Sequence, residues 1–305
     1  MHARVLRYLD EVVRRGSIRK AAEHLHVAPT AVNRQILDLE AELGAPLFDR
    51  IQNRLRLTPL GEMVLTHVRS TLREHAQLRE RIADFKGMRR GEITVAATSG
   101  LAGSLLPSLV HDFRSSHPGM VVRVIDLPMQ AIASAVEAGE AGEADLGLAY
   151  DLTPRPGLRM LAASEWQIGA ILPIKHPLAH QSSLLLSECV GHPLILPAPA
   201  LTIRSLLNEA FARNAIEVTP VAESTSMTLI QRLVILGEGI ALLNALDVLE
   251  ELDRGALSFV PLRDAHLQRQ TLMLFARKGA ELSTAAELMA ESIQAVLARL
   301  FAKKL

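Results

Sequence analysis

The stretch from Ser17 to Glu42 constrains the fold of this chain most, because its spacing predicts two helices joined by a tight corner. Ser17 is expected to cap the first helix with its hydroxyl. Pro29 suits the first turn of the second helix, where its missing N–H would have no partner in any case. The buried stripe of the second helix is predicted to be Val32, Ile36, Leu39 and Leu43. This pattern is typical of a helix-turn-helix whose second helix enters the DNA major groove.

The segments on either side of this motif extend the prediction to a winged unit. An amphipathic helix over residues 5–13 precedes it and ends at Gly16, and Gly44 stops the recognition helix. Residues 47–57 predict a small hairpin with a polar, basic tip. Such a wing places Arg50, Arg54 or Arg56 near phosphates or in the minor groove. The alternative is an exposed basic turn that only aids solubility, but its position directly after the recognition helix favours the wing.

The distribution of charge separates the first part of the chain from the rest. The 305 residues exceed one ordinary domain and carry no net charge, yet residues 1–90 hold 17 basic and 11 acidic side chains, a net charge of +6. The remainder is therefore −6. A basic N-terminal third on an acidic body indicates that only the first part meets nucleic acid. Chance scatter of solvated charges would be the alternative if the helix-turn-helix pattern were not beside it.

The composition also bounds the cellular setting. Hydrophobic residues make up 49% of the chain and charged residues 22%, as in globular proteins. The single cysteine, Cys189, permits no internal disulfide and no cysteine-based zinc site. No apolar run reaches the roughly 18 residues that span a bilayer. A cytoplasmic protein without a membrane partner is expected.

A long helix is predicted to follow the wing. Thr58 is its expected N-cap, Pro59 its first residue, and Gly87 its end. The narrow apolar seam of this helix consists of Leu65, Val68, Leu72, His75, Leu78, Ile82 and Phe85. Polar flanks on both sides favour a coiled-coil contact between two copies of the chain. The alternative is a helix packed on its own domain.

From Glu92 onwards, short apolar strands alternate with helices, which predicts parallel α/β sheets. A strand is expected over residues 218–222, for example. Ligands of open α/β sheets bind outside the carboxyl ends of the strands. The residues at or near those ends are Thr98, Ser99, Gly100, Pro128, Met129, Thr202, Arg204, Thr225 and Ser226.

These nine residues predict an effector cleft for a small carboxylate or other anion. Helix N-termini with hydroxyls beside them can hold such a group. For any single hydroxyl, a plain helix cap is the alternative interpretation. Arg204 either balances an anionic effector or is a solvated helix residue.

The sequence predicts no catalytic or metal site and no cofactor. The eleven histidines form no ligand cluster completed by cysteines or carboxylates. Nucleophile-elbow and phosphate-loop motifs are absent from the sequence. An enzyme or solute-binding lobe carrying a DNA-binding appendage is the alternative from another functional class.

Several segments resemble the LysR-type transcriptional regulators. Residues 4–62 carry G-S-I-R-K-A-A-E-H-L-H-V, A-V-N-R-Q-I-L-D-L-E-A-E-L-G, L-F-D-R and L-T-P-L-G-E in register. Further along, looser matches such as A-D-L-G-L-A and G-E-G-I-A-L-L follow in the family's order. The resemblance implies a regulator that binds promoter DNA as a dimer or tetramer, through the linker helix and effector domains, and that contacts RNA polymerase.

The resemblance also implies a domain organisation. The winged helix-turn-helix would cover residues 1–58, the linker helix residues 59–87, and the effector domain residues 88–305. That domain would have the two-lobed, type 2 periplasmic-binding-protein-like α/β fold. Lobe I would take about residues 92–164 and 267–305, and lobe II about residues 165–266. A winged-helix repressor of another family would differ after residue 90.

The recognition helix departs from the family pattern at its start. The family usually opens this helix with Ser-Gln-Pro-Ala, whereas this chain has Ala28, Pro29, Thr30 and Ala31. Pro29 thus replaces the glutamine that contacts bases, so Thr30, Asn33 and Arg34 are expected to read the groove and Arg54 to act in the wing. The complete set of expected DNA-contact residues is Ser17, Ala28, Pro29, Thr30, Ala31, Asn33, Arg34, Gln35, Arg50, Arg54 and Arg56.

Overall fold

The computed structural model describes residues 3–51, 54–85, 91–137, 144–265, 267 and 269–302. The chain forms two compact units, the second of which begins at Gly91. Within the described residues, no helix is long and apolar enough to cross a membrane.

The first unit is a winged helix-turn-helix. Its core combines apolar residues of the first three helices with Leu65 and Val68 of the fourth. Gly16 and Gly44 end two of the helices with φ of 64° and 71°, left-handed values that favour glycine. The elements are α1 (Ala3–Arg15), α2 (Ile18–His24), α3 (Pro29–Leu43), β1 (Phe48–Ile51), β2 (Arg54–Leu57) and α4 (Pro59–Phe85).

Two sequence-based expectations about α2 and α3 need correction. Ser17 occupies the N-cap position of α2, but its side chain makes no capping hydrogen bond. Leu43 is 39% exposed, so the buried stripe of α3 consists of Val32, Ile36 and Leu39 only. Leu43 is the last residue of α3 and directly precedes the C-cap Gly44. It therefore lies beyond the part of the helix that packs on the core.

The start of α4 is tied to the wing, and its first turns pack within their own unit. The Thr58 hydroxyl accepts a hydrogen bond from the Gly61 amide at 2.9 Å, as expected of an N-cap, and donates to the Pro46 carbonyl at 2.9 Å. Leu65 and Val68 are buried, and Leu72 packs beside them. Packing on its own domain therefore accounts for these three seam residues.

The rest of the seam was predicted to meet a partner helix. His75 is exposed. The side chains of Leu78, Ile82 and Phe85, as well as Gly87, lie outside the described part of the structure.

The second unit begins with the first lobe, built on a five-stranded sheet. The helices of this lobe pack on the sheet and bury Ile93, Leu106, Phe113 and Leu148. The first elements of the lobe are β3 (Gly91–Ala97), α5 (Ser99–Gly103), α6 (Leu105–Ser116), β4 (Met120–Asp126), α7 (Met129–Glu137), β5 (Leu146–Tyr150) and β6 (Leu158–Trp166).

The chain then builds a second lobe with its own sheet and core, in which Ile171, Leu196, Leu207 and Leu242 are buried. Its elements are β7 (Ile168–Pro173), α8 (Leu186–Cys189), β8 (Leu194–Pro197), α9 (Thr202–Arg213), β9 (Ala222–Ser224), α10 (Met227–Ile235), β10 (Ile240–Asn244), α11 (Leu249–Asp253) and β11 (Leu257–Pro261). Short 3₁₀ turns cover Pro177–His180 and Ala245–Val248. The chain returns to the first lobe with β12 (Gln270–Arg277) and α12 (Thr284–Ala302).

Both sheets are mixed, which corrects the expectation of parallel sheets. The first sheet has the order β4-β3-β5-β12-β6, and β12 runs antiparallel to both β5 and β6. The second has the order β11-β7-β10-β8-β9, and β7 runs antiparallel to β10 and β11. The strand expected over residues 218–222 starts only at Ala222.

The chain passes between the lobes twice, and side-chain hydrogen bonds lie at both crossings. Gln167, between β6 and β7, donates a side-chain hydrogen bond to the Leu262 carbonyl in the returning segment. The buried Asn244 amide donates to the Gln270 Oε1 at 2.7 Å, and Gln270 donates to Asp151 at 3.1 Å. Through Gln270, these hydrogen bonds connect the end of β10 in the second lobe with Asp151 in the first.

Candidate functional site

The start of the recognition helix α3 presents polar side chains to solvent. Thr30 and Arg34 are exposed, and Asn33 is half-buried beside the core residue Val32. The Arg34 side chain is 84% exposed and lies 3.9 Å from the Asp38 carboxylate on the next turn. Such an exposed pair contributes little to stability, so Arg34 can exchange it for a phosphate or a base at low cost.

The other residues predicted around this helix lie beside the same surface. Ala28 is the N-cap residue of α3, with Pro29 in the first turn, and no side chain caps the helix. Pro29 and Ala31 are exposed, and Gln35 donates a hydrogen bond to Asp38 at 3.4 Å. The corner before α3 turns at His26, whose φ of 53° is left-handed.

The wing hairpin is held against the recognition helix by Glu40. One Glu40 carboxylate oxygen accepts hydrogen bonds from the backbone amides of Leu47 and Phe48, at 2.7 and 3.2 Å. The sequence alone does not predict this role of Glu40, because the contact spans a loop and belongs to no local motif. Glu40 therefore fixes the first strand of the wing relative to α3.

The register of the hairpin places the predicted arginines on its two strands. Arg50 pairs with Leu55, Ile51 with Arg54, and Asp49 with Arg56. Arg56 is exposed. The side chains of Arg50 and Arg54 lie outside the described part of the structure.

The second unit holds a cavity of about 370 Å³ between elements of its two lobes, within the size range of small-molecule sites. Seven of the nine predicted effector residues line it: Thr98, Ser99, Gly100, Pro128, Met129, Thr202 and Thr225. They stand at the ends of strands or the starts of helices in both lobes. The Thr202 hydroxyl lies 3.9 Å from the Met129 sulfur, which brings α9 of the second lobe against α7 of the first.

The remaining two predicted residues do not line the cavity. The Arg204 guanidinium forms an ion pair with Glu223 and donates hydrogen bonds to the Pro197 carbonyl and the Asn208 side chain, both at 2.8 Å. The Ser226 hydroxyl caps α10 by accepting a hydrogen bond from the Leu229 amide. Both side chains are thus engaged in local contacts of the second lobe.

Several residues that the sequence analysis did not select also line the cavity. The polar members of this group are Asp126, Gln130, Tyr150, Asp247 and Gln270. Asp126 and Tyr150 end β4 and β5, so the strand-end rule, applied to every strand, would have found them. Asp247 lies in a 3₁₀ turn nearly 150 residues from Gly100, and only the tertiary fold brings the two together.

Burial raises the pKa of two carboxyl groups of the cavity. Desolvation raises the pKa of Asp247 to about 7, although a backbone hydrogen bond from Asn244 opposes the shift. Desolvation also raises the pKa of Asp126. The pKa of Tyr150 is raised by burial and then by the nearby Asp247 and Asp151 carboxylates.

The described residues hold no group of three or more histidine, cysteine or acidic side chains that could bind a metal ion. Cys189 is fully buried in the core of the second lobe, and burial together with Asp264 and Glu188 raises the pKa of its thiol to about 12. A thiol with such a pKa stays protonated and unreactive at neutral pH.

Two family models match the chain, and together they cover most of it. The model of the bacterial regulatory helix-turn-helix protein of the lysR family matches residues 3–62. The model of the LysR substrate binding domain matches residues 86–298.

Curated relatives and solved structures agree with these matches. The transcriptional regulator CysB of Burkholderia cenocepacia is 28% identical over 86% of this chain and 83% of its own length. The regulator cbl of Escherichia coli is 31% identical over 79% of this chain and 77% of its own. A point variant of full-length OxyR from Pseudomonas aeruginosa superimposes with a TM-score of 0.70 at 21% identity, over 96% of this chain and 95% of that one.

An exposed recognition helix, a wing fixed beside it and a ligand-sized cavity in a two-lobed domain are thus joined in one chain. The two family models likewise assign a helix-turn-helix to the first part of the chain and a substrate binding domain to the second. The relatives CysB and cbl are named transcriptional regulators. The chain belongs to the LysR family and is a DNA-binding transcriptional regulator with an effector-binding substrate domain.

Proposed function

We propose that α3 reads an operator in the major groove through Thr30, Asn33 and Arg34, while Arg56 of the wing contacts phosphate. The observation that carries this assignment is the exposure of Thr30 and Arg34 beside the half-buried Asn33. An asparagine amide can pair bidentately with adenine, and a guanidinium suits either guanine or phosphate. Because the Pro29 side chain has no hydrogen-bonding group, these three side chains carry the base readout at the start of α3.

The cavity of the second unit supplies the regulatory input in this proposal. A small molecule held by residues of both lobes favours one arrangement of the lobes over another. Typical coupling of this kind is worth about 1–3 kcal/mol. Asp126 and Asp247 act there as groups that bind the ligand, without a catalytic step.

Self-association completes the proposal. Leu65 and Val68 are buried in the core of their own unit, so they cannot contact a partner helix. The part of α4 beyond His75 would therefore pair with the same helix of a second copy. A dimer would set two recognition helices on half-sites about one turn of DNA apart, or multiples of that. Further pairing of effector domains would give a tetramer, and contact with RNA polymerase in the cytoplasm would complete regulation.

Selection of duplexes from a random pool by the full chain tests the readout. Asn33→Ala should lose the preference at one base pair, at a cost of roughly 1–3 kcal/mol, and keep its preference elsewhere. Glu42→Gln, on the same helix and exposed, serves as the matched control and should select the wild-type sequence. A loss of affinity by Asn33→Ala that is equal on all duplexes would contradict direct readout.

A further inference from the structure

The cavity of the second unit is acidic, and its described lining includes no lysine, arginine or histidine. Asp126 and Asp247 both line it, from the end of β4 and from the 3₁₀ turn after β10. Arg204, expected from the sequence to balance an anion, pairs with Glu223 instead. A ligand that carries only negative charge would therefore meet two carboxyl groups and no cationic side chain.

A buried hydroxyl in the same cavity lacks a partner. The Tyr150 side chain is 7% exposed, and its hydroxyl finds no hydrogen-bond partner among the described residues. Asp247 beside it is only 4% exposed. Buried polar atoms are rarely left unpaired in folded proteins, because each one costs about 1–3 kcal/mol. A ligand group that supplies hydrogen bonds here would remove that cost.

The first turns of two helices, α7 and α9, line the cavity and can supply backbone N–H donors. Met129 and Gln130 open α7, Thr202 and Ile203 open α9, and all four line the cavity. The first N–H groups of a helix have no partner inside it, and no side chain caps α9. Such N–H groups favour a negatively charged ligand group. The cavity thus combines acceptors suited to a cation with donors suited to an anion.

We propose that the effector is a small zwitterion, an amino acid or close analogue. Its ammonium group would contact Asp126, Asp247 and the Tyr150 hydroxyl, and its carboxylate would contact the start of α9 with the Thr202 hydroxyl. This inference rests on the proposed function of the cavity as the effector site. The apolar part of the lining, which includes Leu127, Leu201 and Met227, favours an uncharged side chain on the ligand.

Thermal unfolding of the full chain with a matched set of compounds tests this assignment. The set comprises the protein amino acids with apolar side chains and, for each, the N-acetylated acid, the amide and the deaminated acid, all at millimolar concentration. At least one free amino acid should raise the melting temperature in proportion to the logarithm of its concentration. Each derivative of it, which lacks one of the two charges, should bind at least about tenfold more weakly.

Variants then place the ammonium group. Asp126→Asn and Tyr150→Phe should each weaken binding of that amino acid by about tenfold or more, since each removes one partner of a charged group. Asp112→Asn, an exposed change on α6 outside the cavity, is the control and should bind as wild type. Unchanged affinity in both cavity variants would overturn the assignment.

Two other results would also overturn the assignment of the effector as a zwitterion. One is stabilisation by the N-acetylated or deaminated acid as strong as that by the free amino acid. The other is the absence of a shift with every amino acid. Neither result affects the selection of DNA by α3. Conversely, a failure to select DNA would overturn the proposed readout by α3. The binding of amino acids would be measured independently of that result.

Discussion

The Cα of Gly100, in the first turn of α5, lies directly against the Asp247 carboxyl group. A Cβ at residue 100 would overlap both the Oδ1 and the Cγ of Asp247. Both residues line the cavity of the second unit, and α5 contacts the turn that carries Asp247. The absence of a side chain at residue 100 thus leaves room for the buried Asp247 carboxyl group in the cavity wall.

Gly100→Ala is expected to destabilise the second unit. The added methyl group must displace Asp247 within a packed site, at a cost of about 1–3 kcal/mol. Gly103→Ala in the same helix has open space around its Cβ and serves as the control. That control should leave stability unchanged or raise it by up to about 1 kcal/mol, because alanine is the better helix former. Urea denaturation compares the two, and equal stability of both variants would show that Gly100 has room for a side chain.

Glu40→Ala is expected to weaken both the first unit and its hold on DNA. The change leaves the Leu47 and Phe48 amides without their acceptor, at a cost of about 1–3 kcal/mol, and frees the wing from α3. Glu42→Ala, two residues along the same helix and exposed, is the matched control. Denaturation and the affinity for a selected duplex measure the two effects. Wild-type affinity and stability in Glu40→Ala would rule out this role in positioning the wing.

Asp247→Asn should change how stability depends on pH. Burial raises the pKa of Asp247 from 3.8 in the unfolded chain to about 7. Between these values the folded state binds more protons than the unfolded state, so the free energy of unfolding falls as pH rises through this window. The asparagine side chain of the variant cannot ionise. The free energy of unfolding of the variant should therefore rise relative to that of the wild type across this pH window, by up to a few kcal/mol.

The measurement for Asp247 is urea denaturation at a series of pH values from about 4 to 8. The stability difference between variant and wild type should grow with pH and level off above the folded-state pKa. Glu238→Gln, at an exposed carboxylate outside the cavity, should show no comparable growth. A difference for Asp247→Asn that is independent of pH would contradict a proton held by Asp247 in the folded state.

Cys189 should be inert in the native protein. It is fully buried and its thiol has a pKa of about 12, so very little thiolate exists at neutral pH and reagents have no access to it. Mass spectrometry after treatment with iodoacetamide should detect alkylation of the urea-unfolded chain only. Rapid alkylation of the folded protein would contradict the burial of Cys189 and reopen a redox role for this residue.

Local signals in the sequence predict the helices and the hairpin of the first unit. Pro29 at the start of α3 and Gly44 at its end act through backbone preferences that a short window reveals. The exposure of Leu43 was not predicted, because the apolar periodicity continues to the last residue of the helix while the packing does not.

The second unit could be predicted only in part. Strand β6 (Leu158–Trp166) was not predicted, since it is an edge strand whose residues show no clear alternation of apolar and polar side chains. The direction of β12 depends on pairing with β5, more than a hundred residues earlier. For the same reason, Asp247 was absent from the predicted site, and Arg204 was included although its side chain pairs with Glu223.

The most direct test of the account is a footprint of the full chain on a duplex obtained by selection, with and without the amino acid that stabilises it. Two protected half-sites are expected, about one turn of DNA apart or multiples of that. The amino acid should also change the extent of protection, or the affinity of the protein for the duplex, by about 5- to 150-fold. Protection that is equal on unselected duplexes and unchanged by the amino acid would contradict the account.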